Sequence, residues 1–225
     1  MSRHTGSIGE SSSSSSLSSQ QDVGDDRMIA EILSEENTKS NGAVGRRLSH
    51  LDSIPHVPRI NGSIPDEDDA TFDHQRLIER LHTYGLSELK VSGDGNCQFR
   101  ALSDQLYNSP DHHKHVRKEV VKQLKKYRSA YEGYVPMKYK RYYRKMRKSG
   151  EWGDHVTLQA AADRFEAKIC LLTSFRDTCF VEIIPRQQPP KRELWLSFWS
   201  EVHYNSLYEV GEVPFRQPKK KHWLF

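Results

Sequence analysis

Cysteine is scarce in this chain: 225 residues carry three, Cys97, Cys170 and Cys179. An odd number with neither CxxC spacing nor a CxxC…HxxxH pattern argues against a disulfide framework and a structural zinc site, and leaves at least one thiol free for chemistry. Long apolar runs are missing as well. No stretch approaches the roughly 18 apolar residues of a membrane-spanning helix, and the opening MSRHTGSIGESSSSSS has no apolar segment to serve as a signal-peptide core. The expectation is an intracellular protein of the cytoplasm, the nucleus or both; the three lysines at Lys219–Lys221 are too short a run to demand nuclear import. With no metal-ligand pattern and no phosphate-binding loop, no cofactor is expected.

Aromatic residues are absent from the first 70 positions, which hold 15 serines, six of them consecutive from Ser11 to Ser16. Such a segment buries too little apolar area to offset the entropy of ordering it. It carries 6 Lys+Arg against 12 Asp+Glu, while residues 71–225 carry 28 against 18, so the net charge of +4 divides into −6 and +10. The expected organisation is a disordered, acidic, Ser-rich tail over 1–70, a folded domain over 71–213 and a basic C-terminal tail over 214–225. Within the first tail, Met28, Ile29, Ile32 and Leu33 have helical spacing, read as residual helicity or a docking motif. PDEDDATFD, from Pro65 to Asp73, reads as the acidic hinge into the domain.

From Phe72 the pattern is globular. Leu77, Ile78, Leu81 and Tyr84 make one helical face that Gly85 stops. A short extended piece and a Gly-bearing loop then lead into Phe99, Leu102, Leu106 and Tyr107, which puts Cys97 at a helix start. Helices are predicted after Ser109-Pro110, over about 138–148, and from a cap at Asp154 through Phe165. KICLLTS, CFVEIIP, ELWLSFW and YNSLYEV read as short strands. Helices preceding strands give an α+β class around one small sheet.

A thiol at a helix start faces unpaired N–H groups and the positive end of the helix dipole, which can bring its pKa to roughly 3.5–7.5. In the preceding Asp94-Gly95-Asn96, backbone N–H groups can converge as an oxyanion hole requires. Late in the chain, EVHYNSL sets His203 and Asn205 two apart, so in a strand both point to one face and Asn205 can orient the His203 ring. Nucleophile, base and orienting group together are what acyl transfer by a thiol needs. Each residue alone has a blander reading: a small buried cysteine, an ordinary histidine, a common turn. Cys170 and Cys179, in strand-like runs, are read as packing residues.

Joined, SGDGNCQFRAL and, 106 residues after Cys97, the EVHYNSLY block around His203 resemble the two signature blocks of the ovarian tumour (OTU) family of cysteine deubiquitinases. The intervening EWGDHVTLQAAADRFEAKICL is similar to the family's middle helix and strand, and the likeness spans about Leu86 to Val210. The chain looks most like the plant members with a Ser-rich N-terminal extension. The resemblance implies an OTU-type, papain-like cysteine protease fold and hydrolysis after the C-terminal Gly-Gly of ubiquitin, without metal or organic cofactor. It also implies ubiquitin and polyubiquitin chains as partners, and a monomer. Cys97 then matches the nucleophile, His203 the base, Asn205 the third triad member and Asp94 the acidic residue of the DGxC block. Backbone donors at Gly95, Asn96 and Cys97 would form the oxyanion hole. Trp195, Phe198 and Trp199 are candidates to line the channel for the ubiquitin tail, with Glu201 meeting its arginine, although a core strand explains the aromatics equally well.

Two other classes stand beside this reading. Residues 114–148 hold 14 Lys+Arg, against Glu119 and Glu132 only, interleaved with Tyr127, Tyr131, Tyr134, Tyr139, Tyr142 and Tyr143, a composition suited to gripping single-stranded nucleic acid. Against it, the stripe at Val116, Val120, Leu124 and Tyr127 spends this segment's apolar residues on packing. A ubiquitin-binding module without catalysis is the third possibility.

Overall fold

One mixed six-stranded sheet organises residues 53–62 and 65–214, the parts of the chain that the computed structural model describes. The elements in chain order are β1 (Ser53–Pro55), α1 (Glu67–Tyr84), β2 (Leu86–Leu89), α2 (Cys97–Tyr107), α3 (His113–Lys126), α4 (Arg128–Tyr131), α5 (Tyr139–Met146), α6 (His155–Phe165), β3 (Ala167–Thr173), β4 (Phe180–Ile183), β5 (Arg192–Trp199) and β6 (His203–Glu209). Strand order is β1-β4-β3-β5-β6-β2, with β1/β4 and β3/β5 parallel and the other pairs antiparallel. The expected class, helices around one sheet, is what the chain forms.

Local chemistry accounts for the helix ends. Asp66 caps α1 by accepting from Asp69 N–H at 2.8 Å, and Glu67, Asp68 and Asp69 lie at the positive end of its dipole. The acidic run expected as a hinge is therefore the first turn of a helix, which ends at Gly85 in the left-handed conformation. Asp154 and Thr157 cap α6 reciprocally.

The sheet separates two apolar clusters. On one face, Leu77 and Leu81 of α1 cover Cys170, Leu172, Phe180, Trp195 and Leu207. On the other, α2, α3, α5 and α6 bring Phe99, Leu102, Val116, Val120, Leu124, Tyr142 and Leu158 onto Ile169, Leu171, Leu194, Leu196 and Phe198. Alternation along β5 decides the split, since successive side chains of a strand point to opposite faces.

The folded unit begins earlier than the expected boundary after residue 70. β1 adds a parallel strand beside β4, with Ser53, Ile54 and Pro55 opposite Phe180, Val181 and Glu182. Beyond it Pro58 is buried, Arg59 O accepts from Val156 N–H at 3.2 Å, and Ile60 packs on the larger cluster. The expected Met28–Leu33 helical segment and Lys219–Lys221 lie outside the described residues.

His56 stacks on His155 with ring centroids 5.3 Å apart, and its Nε2–H donates to His155 O at 3.1 Å. Burial lowers both imidazoles, His56 to about 4 and His155 to about 3, with Arg59 close to both. Both rings are neutral in the native state and take up protons more readily once unfolded. The stability this allows is complete above about pH 6.5 and is lost as pH falls toward 4. Unfolding measurements on the full chain should show a loss on the order of 5 kcal/mol over that interval, and His155→Phe should lose clearly less. Equal losses would contradict the assignment.

Candidate active site

Residues 90–96 run from β2 to α2 and place Cys97 as the first residue of that helix, after Asn96 as N-cap. The loop is held by charge and by shape. Asp94 accepts from Asn96 N–H at 3.1 Å and from the Arg100 guanidinium at 2.6–3.2 Å, and Arg100 holds its carboxyl well below the usual range. Gly95 has φ +77, and any side chain there would collide with the carbonyl of Gly150.

Beneath the loop lies Arg117, 4% exposed, with its guanidinium 3.9 Å from the centre of the Phe99 ring. It donates to Gly95 O (3.3 Å), Asn96 Oδ1 (2.8 Å), Met146 O (2.9 Å) and Glu151 O (2.7 Å). Burial lowers its pKa to about 10, so it stays cationic at neutral pH. Asn96 Oδ1 also accepts from Gly150 N–H at 2.9 Å. The loop before Cys97 and the segment 146–151 are thereby tied into one body.

At the other side of the site, β6 pairs with β5 so that His203 faces Trp199 and Asn205 faces Ser197. His203 Nε2 lies 3.1 Å from Asn205 Oδ1, which also accepts from Val91 N–H at 3.0 Å. Because Val91 N–H fixes that oxygen as an acceptor, the ring must donate from Nε2. Nδ1 then carries the lone pair a base needs. Gly93 lies beside the ring, where an added Cβ would come within 3.9 Å of His203 Cε1. Cys97 and His203 line one crevice together with Asn61, Trp152, Phe198 and Glu201.

Burial of Cys97 outweighs the helix start and pushes the thiol up, although main-chain N–H groups of Tyr204 and Gln98 aim at its sulfur and favour the thiolate. Nearby Asp94 adds to the rise. The expected depression of the thiol pKa is therefore absent in this state, for a physical reason: loss of solvation costs the thiolate more than the helix end returns. A proton acceptor near the sulfur is required, and His203 lines the same crevice.

The model of the OTU-like cysteine proteases matches residues 92–206, and those residues contain Asp94, Cys97, His203 and Asn205. The chain belongs to that family. Among curated proteins it is similar to OVARIAN TUMOR DOMAIN-containing deubiquitinating enzyme 12 of Arabidopsis thaliana, 73% identical over 97% of this chain and 100% of the relative. Enzyme 11 of the same series and organism is 66% identical over 91% and 86% of the two chains. Among solved structures, the OTUD1 OTU domain superposes with a TM-score of 0.56 at 17% identity, over 64% of this chain and 100% of that one, a likeness of fold.

Against this OTU frame, several expected site residues sit elsewhere. Trp195 is 1% exposed, stacks on Phe180 (5.7 Å, 10°) beneath α1, and belongs to the core, not to a channel. Trp199 donates from Nε1 to Ala70 O at 2.9 Å and stacks on His74. Of the three aromatics, Phe198 alone reaches the crevice, because it points to the other face of β5. Glu201 lines the crevice, but its carboxylate is taken by Arg59 (3.3 Å) and Gly62 N–H (3.0 Å). Of the expected oxyanion donors, Asn96 spends its N–H on Asp94. Asp94 holds the loop, with its carboxylate hydrogen-bonded to Asn96 and Arg100.

Arg117, Asn61 and Trp152 escaped the sequence reading. Arg117 was one of 14 basic residues over 114–148, and its only local sign is that it recurs with Val121 and Leu124 at spacings of four and three. Of the six tyrosines of that segment, Tyr131, Tyr139 and Tyr142 are buried, with hydroxyls donating to Asp163, Leu124 O and Asp154, while Tyr127 and Tyr143 are half-buried and Tyr134 is exposed.

Alkylation of Cys97 by iodoacetamide, followed by mass spectrometry across pH, should rise toward and beyond pH 8 and should slow in His203→Ala. A rate already saturated near pH 6 in the wild type would contradict a thiol held up by burial.

Proposed function

We propose that the protein is a deubiquitinating thiol hydrolase that cleaves the isopeptide bond after the C-terminal glycine of ubiquitin. The observation that carries this is one crevice lined by a helix-start thiol and by a histidine whose far nitrogen is fixed by Asn205. Relatives named as deubiquitinating enzymes at 73% and 66% identity supply the substrate class.

The chemistry follows from the placement. His203 Nδ1 takes the proton of Cys97 Sγ as the sulfur attacks the glycine carbonyl carbon, forming a C–S bond and an oxyanion. Main-chain N–H groups at the start of α2 supply the donors in this reading for that negative charge, with Asn96 N–H already held by Asp94. The imidazolium, stabilised through Nε2–H by Asn205, returns its proton to the departing lysine amine as the C–N bond breaks. Water, deprotonated by the same ring, then hydrolyses the thioester and frees the thiol. Asn205 orients the ring without adding charge, so the thiolate–imidazolium pair is less favoured than a carboxylate would make it. All these groups come from one chain, which suits a monomer, and the cytoplasm or the nucleus is its proposed place of action.

Incubating the full chain with a ubiquitin bearing a C-terminal electrophile should give one covalent adduct at Cys97, and none with Cys97→Ala. On a fluorogenic ubiquitin substrate, His203→Ala should lower kcat/KM by about 10²–10⁴, whereas Asn205→Ala, which removes an orienting group, should cost less. Absence of wild-type capture, or wild-type turnover by Cys97→Ala, would overturn the proposal.

A further inference from the structure

Residues 56–62 form a strap beside the crevice. They lie outside the family match, which begins at residue 92. One end of the strap is fixed to the fold: Pro58 is buried, Arg59 O receives Val156 N–H at 3.2 Å, and Ile60 packs on the larger cluster. The other end is fixed to the turn between β5 and β6. There Glu201, only 12% exposed at its side chain, binds Arg59 Nη2 through Oε1 at 3.3 Å and Gly62 N–H through Oε2 at 3.0 Å. Glu201 has φ +56, a left-handed conformation unusual for a residue with a side chain and one that surrounding contacts must support.

Between those two anchors sits Asn61. It lines the crevice shared by Cys97, His203 and Phe198, and also an adjoining groove with Met137, Tyr142, Met146 and Trp152. Met137 and Trp152 are 36% and 42% exposed there. An extended peptide reaching the sulfur from that groove would pass the junction of the two, which Asn61 and Trp152 both line. A flexible tail is bound tightly only where the channel is already in place, because each loose wall adds an ordering cost to binding.

We propose that Arg59–Gly62 form a wall of the channel for the substrate's extended C-terminal tail, with Asn61 facing the tail and the Arg59–Glu201–Gly62 latch holding that wall in place. Arg59 and Gly62 are then positioning residues for substrate binding, outside the chemical step. The inference rests on the deubiquitinase reading for the identity of the tail.

The test is steady-state kinetics of the full chain on a fluorogenic ubiquitin C-terminal substrate, with Arg59→Ala, Arg59→Lys, Glu201→Gln and the Arg59→Ala/Glu201→Gln double variant. Melting temperature and iodoacetamide alkylation of Cys97 are measured on the same samples. Exposed ion pairs couple weakly, so Arg59→Ala should raise KM about three- to fivefold with kcat within about twofold, and Arg59→Lys should restore part of the loss. The double variant should be no worse than the more severe single one, because both break the same latch. Alkylation should stay near the wild-type rate. A KM unchanged in Arg59→Ala would overturn the proposal. So would a lower KM, which would mean that Arg59 blocks a carboxylate the substrate needs. If the wild type turns over and the variants match it, only the wall is lost; if the wild type does not turn over, the activity assignment fails and the wall falls with it.

Discussion

A guanidinium removed from water must find hydrogen bonds for its N–H groups or forfeit several kcal/mol of solvation, and Arg117 finds four acceptors in two separate stretches of chain. Gly95 and Asn96 lie just before the nucleophile; Met146 and Glu151 close the end of α5 and the segment after it. Without the cation, the carbonyls of Gly95, Met146 and Glu151 would lose this donor and Asn96 Oδ1 would be left with Gly150 N–H and the Ser149 hydroxyl, so the loop has a strong reason to keep this geometry. The Phe99 ring beneath adds a face to which a poorly hydrated cation is attracted. The position of Cys97 at the start of α2 thus depends on a charge more than on the helix that follows.

The site sets two demands against each other. Burial protects the thiol and raises the cost of ionising it, while catalysis needs the sulfur deprotonated at the moment of attack. The sheet resolves this by bringing a base on β6 to the same crevice, with Asn205 locked by Val91 N–H so that the tautomer cannot invert freely. Ionisation is then tied to the encounter with a proton acceptor and with substrate, instead of being permanent. An asparagine in the third position fits that arrangement, since it orients the ring without holding a standing negative charge beside a thiol that Asp94 already opposes.

What could be read in the sequence was what local chemistry determines. The helix stripe at Leu77 and Leu81, the Gly85 stop, the Asp154 cap and the period-two strands depend on neighbours within a few residues, as does the placement of Cys97 at a helix start. His203 and Asn205 were visible because two residues apart on a strand share a face. The features that escaped depend on distant partners. Residues 53–62 have no aromatic residue and look like more of the tail, yet Gly62 meets Glu201 139 positions away. Alternation shows that Trp195 and Phe198 point to opposite faces of β5, but only the docking of α1 decides which face is covered and which opens to the crevice. Arg117 looks like its basic neighbours until the fold buries it.

The most direct test of this account is the rate at which Cys97 of the full chain is captured by a ubiquitin C-terminal electrophile in Arg117→Met, with circular dichroism and melting recorded on the same sample. Methionine matches much of the buried stem and removes only the guanidinium and its four hydrogen bonds. The account predicts retained helix and strand content, a modest fall in melting temperature, and capture slowed by about 10²-fold, the scale expected when a reacting group is misplaced by about an ångström. Capture within about twofold of wild type in a well-folded Arg117→Met protein would contradict the claim that this buried charge holds the nucleophile in place.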